Sequence, residues 1–168
     1  MVRPFCLLVF ALGFATFAVA DPVKKVTTVD SDKLTKECGE AFIKAILDNK
    51  VEDALKLCAT PFLDPNGKIS DTLDDMRKEF SNAPPAGIEI KVGETVALDK
   101  FNEWSKKKGG KELEGELFKQ YGEFLGKDGR IVMLEVKIMG QAPPANDQPH
   151  MLIRVKDGKA QIVGVGGR

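Results

Sequence analysis

The dipeptide Asp157-Gly158 constrains this chain more than any other feature. Asp-Gly is a preferred two-residue hairpin turn, because a type I′ turn needs positive φ at both central positions. The flanks alternate on both sides, so the register follows once the turn is set. Lys156 then faces Lys159, and Val155 pairs with Ala160, Ile153 with Ile162 and Met151 with Gly164 on a wholly apolar face. Arg154 pairs with Gln161 and Leu152 with Val163 on the other face. A slip of one residue would mix the two faces, so the pattern specifies the pairing. The chain must therefore close on an antiparallel sheet.

Two further strands precede that hairpin. Val132, Leu134, Val136 and Ile138 share one face of a strand from Arg130 to Met139, while Ile131 and Met133 give way to Glu135 and Lys137 on the other. Ile88, Ile90 and Val92 mark a strand that continues past a bulge at Gly93 to Val96 or Leu98. The N-terminal half reads as helix. Leu34, Cys38, Ala41, Phe42, Ala45 and Ile46 lie on one helical face behind a Ser31 or Asp32 cap. Val51, Ala54, Leu55 and Cys58 suggest a second, shorter helix ended by Pro61. Asp64-Pro65-Asn66-Gly67 is a type I turn, and a third helix runs from near Ser70 to Phe80. Residues 99–125 read as two helical pieces separated by Gly109-Gly110.

The first residues carry a different message. Arg3 precedes an uncharged apolar run from Phe5 to Phe17, and Ala18-Val19-Ala20 puts small residues before Asp21. That tripartite pattern is a cleavable secretory signal over residues 1–20, and the run is too short and too well ended for a stable membrane anchor. Residues 21–30 form a flexible N-terminal segment, and 31–168 a single domain. The expected location is secreted or periplasmic. Removing 20 of 168 residues leaves 148, enough for one core. Without Arg3 the chain carries 24 basic and 25 acidic residues, a balance that implies no nucleic-acid partner.

The run Phe42-Ile43-Lys44-Ala45-Ile46-Leu47-Asp48-Asn49-Lys50-Val51-Glu52-Asp53-Ala54-Leu55-Lys56-Leu57-Cys58-Ala59-Thr60-Pro61-Phe62 resembles the opening of the nuclear transport factor 2-like and ketosteroid-isomerase-like superfamily. The closing run from Arg154 to Gly164 is similar to that superfamily's last hairpin. The resemblance implies an α+β fold in which N-terminal helices pack in the concave face of a strongly bent, mostly antiparallel sheet, the cystatin-like cone. It also implies a pocket between sheet and helices, which in such folds serves enzymes and inert binders alike.

Candidate pocket residues are Phe62, Trp104, Tyr121 and His150. For the aromatics Phe42, Phe62, Phe80 and Trp104, helical spacing favours ordinary core packing over a ligand wall. His150 is the only histidine and Tyr121 the only tyrosine. His150 follows a proline-rich loop, where an exposed strand-entry position is the stronger expectation than a catalytic base. No residue qualifies as catalytic, since no Asp or Glu falls on the apolar strand faces where an isomerase would need its base. No metal is expected, because structural zinc wants four Cys or His ligands and Lys68 spoils the Asp64 turn as a calcium loop. No cofactor motif occurs: Gly164, Gly166 and Gly167 end the chain instead of opening a helix, and Lys106 to Lys111 is an ordinary helix stop. Cys38 and Cys58 lie at similar distances from the turn near Asn49, so they can form a disulfide joining two antiparallel helices, or stay as two buried thiols.

The expected function is a non-catalytic domain binding a small apolar ligand or a protein partner. Two alternatives stand beside it: an isomerase or dehydratase using Tyr121 or His150, and a homodimeric module that self-associates through its outer sheet face.

Overall fold

The computed structural model describes residues 30–82, 86–142 and 149–167, so the signal sequence and its cleavage point lie outside the described residues. Chain order is α1 (Ser31–Leu47), α2 (Val51–Lys56), β1 (Cys58–Leu63), β2 (Ile69–Ser70), α3 (Leu73–Phe80), β3 (Ile88–Val96), α4 (Leu98–Lys107), α5 (Gly115–Leu125), β4 (Arg130–Ile138), β5 (His150–Lys156) and β6 (Lys159–Gly166). The strands form one sheet in the order β2-β1-β6-β5-β4-β3. All neighbours are antiparallel except β1 and β6. The architecture is the expected α+β cone.

Helix α1 starts where the Asp30 carboxylate accepts from the Lys33 amide, an N-cap that satisfies one of the first free N–H groups. Its apolar stripe, with Cys38, Phe42 and Ala45, packs on the concave face of the sheet against Val132, Met151, Ile153 and Ile162. Phe80 brings edge-on ring contacts to both Phe42 and Phe62, at 5.5 and 5.9 Å between centroids. Side chains therefore fill the concave face where the resemblance placed a pocket.

The second apolar layer lies on the outer face. Ile131, Met133, Leu152 and Val163 point away from α1 and are covered by α4 and α5, with Phe101, Tyr121, Phe124 and Leu125. The middle strands are thus buried on both faces, which is why β4 opens Ile131-Val132-Met133 without a polar alternate. Where the helices stop covering it, the same outer face becomes charged: Glu89 lies across from Lys137, and Lys91 from Glu135. The outer face that self-association would use is therefore occupied around Ile131, Leu152 and Val163.

The hairpin register holds from Lys156↔Lys159 to Ile153↔Ile162 and then departs from the arithmetic. A bulge between Leu152 and Ile153 sets Leu152 opposite Gly164, Met151 opposite Val165 and His150 opposite Gly166. The extra residue on β6 is Val163, which turns into the outer layer.

One expectation is corrected. Cys58 is not on the second helix, because α2 ends at Lys56 and Cys58 is the first residue of β1. Both cysteines are free and buried. The Cys38 thiol points at the Ala160 carbonyl, 3.6 Å away, and the Cys58 thiol at the Ala54 carbonyl, 3.4 Å away. Each sulfur makes a weak hydrogen bond to backbone where the disulfide reading had it bonded to the other.

Candidate functional site

The chain has one histidine and one tyrosine, and the fold brings them together. Tyr121 comes from the middle of α5 and His150 from the first residue of β5. The Tyr121 hydroxyl and His150 Nε2 are 2.9 Å apart in a buried hydrogen bond, with the rings edge to face. His150 is 6% exposed and Tyr121 4%, so the histidine is not the solvent-facing strand entry that its proline-rich approach suggested. Two features put it inside: the α4–α5 cover, and the bulge that sets it opposite a glycine.

That glycine is a requirement. A Cβ added to Gly166 would lie 2.5 Å from His150 Nε2 and closer still to the Tyr121 oxygen, where real Cβ atoms essentially never come nearer than 3.0 Å. Without the bulge, Val165 would face His150 and its side chain would claim that space.

The pair forms the floor of a cavity of about 330 Å³ between the β1–β2 turn, the α4–α5 connection and the end of β6. Leu63, Phe101, Leu113 and Leu117 supply apolar walls, and Asp64, Lys111 and Glu112 stand among its polar lining. The walls are held by side-chain bonds to backbone. Asn102 grips Leu113 twice, donating Nδ2 to its carbonyl and accepting from its amide, both at 2.8 Å. Ser105, fully buried, donates to the Lys111 carbonyl at 2.6 Å. On the opposite wall, Asp64 Oδ1 accepts from the amides of Asn66 and Lys68 at 2.8 Å each, which closes the turn. These bonds make the cavity a built feature of the fold.

Desolvation raises the Tyr121 pKa above the ordinary phenol value, so the hydroxyl stays protonated well beyond neutrality. A buried phenol against an imidazole can offer a donor or an acceptor to a bound molecule, and can exchange a proton through the shared hydrogen bond. Among the described residues no group of three or more His, Cys, Asp or Glu could hold a metal ion.

Of the four candidate residues, Tyr121 and His150 line this cavity together. Phe62 is fully buried in the α1 layer, on the other side of the sheet. Trp104 packs on Phe101 at 5.9 Å between ring centroids, donates to Glu94, and lines a separate groove beside Arg130. Sequence reading missed Phe101, Leu113, Asn102 and Gly166. Phe101 lies on α4 as its spacing indicated, whereas Leu113, read as the start of the second helical piece, precedes α5 in the α4–α5 connection; nothing local says that these segments return over the outer face.

No family model and no curated protein matches the chain. Solved structures of similar fold include an NTF2-like protein of unknown function from Cytophaga hutchinsonii, 11% identical with a TM-score of 0.42, over 80% of this chain and 88% of that one. A domain of unknown function with a cystatin-like fold from Nostoc punctiforme is 13% identical, with a TM-score of 0.47, over 84% and 78%. The association domain of CaMKII from C. elegans is 16% identical, with a TM-score of 0.45, over 82% and 98%. The fold is thus similar to that of NTF2-like and cystatin-like proteins, as the runs at residues 42–62 and 154–164 suggested.

Proposed function

We propose that this chain is a non-catalytic small-molecule-binding domain, exported by cleavage after Ala20. The observation that supports binding is the open cavity lined by Tyr121 and His150 together with apolar side chains, its walls pinned by Asn102 and Ser105. Its volume falls in the lower range of ligand pockets, and its composition is theirs: mostly apolar walls with a few fixed polar groups. The same pair is what an acid–base enzyme would need. Against that reading, the buried carboxylate in the wall, Asp64, already spends one oxygen on two backbone amides, the work of a turn.

Trp104 is the only tryptophan and its ring lies 5.9 Å from that of the cavity residue Phe101, so its fluorescence is expected to respond to occupancy. The test is a native mass measurement on protein from its own secreted fraction. A chain starting at Asp21 with a retained small molecule is expected. Leu117→Arg, at an exposed position of the cavity lining, should abolish retention without unfolding the domain. A chain that begins at Met1 in the membrane would refute export. A ligand-free chain whose Trp104 emission no small molecule alters would refute binding.

A further inference from the structure

Resting on the small-molecule reading, we propose that the cavity selects organic cations, compounds with a compact hydrocarbon body and one ammonium head bound at Asp64. Asp64 is 7% exposed and stands in the cavity lining. Its amide donates to the Lys68 carbonyl at 2.9 Å, its carbonyl accepts from the Gly67 amide at 3.1 Å, and Oδ1 accepts from the amides of Asn66 and Lys68. The backbone and one carboxylate oxygen are thus committed to the turn, which fixes where Oδ2 stands. Among the described residues Oδ2 accepts no hydrogen bond, and no lysine or arginine forms an ion pair with Asp64. A carboxylate taken so far out of water gains most from a counter-charge, and the cavity it lines is the space that can hold one.

The rest of the lining weighs against other ligand classes. Lys111 and Glu112 are exposed, so water screens both, and neither is an anchor comparable to a carboxylate fixed by two amides. An anionic ligand would have to rely on the hydrated Lys111 while bringing a second negative charge beside Asp64. A bare metal ion needs several oxygen ligands, and among the described residues no group of three or more His, Cys, Asp or Glu could supply them. An alcohol can donate to Oδ2 but leaves its charge uncompensated, whereas an ammonium has three donors, no acceptor and the opposite charge. In either direction of the Tyr121–His150 bond the phenol oxygen keeps a lone pair, so that pair accommodates an N–H whichever imidazole nitrogen carries the proton. The walls at Leu63, Phe101, Leu113 and Leu117 ask for a hydrocarbon body.

Cyclohexylmethylamine, cyclohexylmethanol and cyclohexanecarboxylate test this directly, since they share one ring and differ in the charge of the head group. Each is titrated into the full chain near neutral pH, with calorimetry for affinity and Trp104 emission as a second readout. The amine is expected to bind about tenfold more tightly than the alcohol, and the carboxylate most weakly. Asp64→Asn keeps an oxygen for the two turn amides and removes the charge, so it should bring the amine down to the alcohol's affinity and leave the alcohol nearly unchanged. Glu112→Gln, which removes the exposed carboxylate, should keep the preference. The ranking on the wild-type chain decides even where Asp64→Asn does not fold. Equal affinity of amine and alcohol, or tightest binding by the carboxylate, overturns cation selectivity and leaves the binding reading standing. A preference that survives Asp64→Asn and disappears in Glu112→Gln overturns the placement of the head at Asp64. Binding of none of the three overturns cation selectivity, and a chain that also retains no molecule in the native mass measurement overturns the binding reading with it.

Discussion

Gly166 faces His150 directly across the β5–β6 pairing, and the side chain that Gly166 lacks is the volume that the His150 ring and the Tyr121 hydroxyl occupy. Two independent features produce this: the glycine itself, and the bulge that moves β6 by one residue.

Gly166→Ala should therefore be costly for an exchange of hydrogen for methyl. The added carbon overlaps two polar atoms on separate elements, and overpacking of this kind costs about 1–3 kcal/mol. The Tyr121–His150 bond should lengthen or break at the same time. Thermal unfolding measures the first effect and the chemical shifts of the single imidazole the second. A variant with wild-type stability and unmoved imidazole signals would show that the contact is not as close as described.

The hairpin gives a paired test. Ile162 is fully buried against α1 residues, whereas Gln161 lies on the other face beside Arg154. Ile162→Asp should cost about 3–5 kcal/mol, the range for an unpaired charge in a core, and Gln161→Asp should be close to neutral because Arg154 faces it. Denaturant midpoints decide. Similar losses at the two positions would mean that the faces are misassigned.

The legible part of the fold was the part governed by short-range patterns. The Asp157-Gly158 turn, four pairs of hairpin register, the bulge near Gly93 and the helical reading of 99–125 all follow from local periodicity and turn chemistry. Cys58 defeated the same method, because Val51, Ala54, Leu55 and Cys58 keep helical spacing although the chain enters β1 after Leu57. Pairing with β6 decided that segment: Cys58 lies opposite Ile162, a partner about a hundred residues away that no local window contains. The site was half legible. Tyr121 and His150 were chosen by chemical rarity, but their contact depends on α5 returning over the outer face and on a bulge in β6. The Ile131 and Met133 pair was the available clue, since two apolar residues on the face that later carries Glu135 and Lys137 need a cover at one end of the strand.

That cover can be strengthened. Gly122 lies inside α5, and a Cβ there would meet only Leu98 Cδ2 at 3.5 Å, an ordinary contact. Glycine in a helix interior costs about 0.5–1 kcal/mol relative to alanine. Gly122→Ala should therefore raise stability by roughly that amount and the melting temperature by a few degrees. A lower melting temperature would place α4 and α5 closer together than the Leu98 contact implies.

The two thiols predict how the fold responds to alkali. Burial pushes Cys38 up to about 11 from 9.0, and Cys58 up to about 12 through burial and the nearby Cys38. Burial also raises Tyr121. In each case the folded chain favours the protonated form. Between the ordinary and the raised values it therefore holds more protons than the unfolded chain, and stability falls as pH rises. The contribution is complete below about pH 9 and is lost progressively from there to the raised thiol values. By roughly pH 10, one unit above the ordinary thiol value, the two thiols together should account for at most about 3 kcal/mol. Cys38→Ser and Cys58→Ser would each add a buried polar group, so alanine is the better probe: the double Cys38→Ala, Cys58→Ala chain should lose much less stability between pH 8 and pH 10 than the wild type. Reactivity gives the second readout, because thiolate is the nucleophile. Native protein at neutral pH should resist alkylation at Cys38 and Cys58, and denatured, unreduced protein should be alkylated at both. A peptide map that instead recovers the two residues linked would restore the disulfide and remove the alkaline dependence with it.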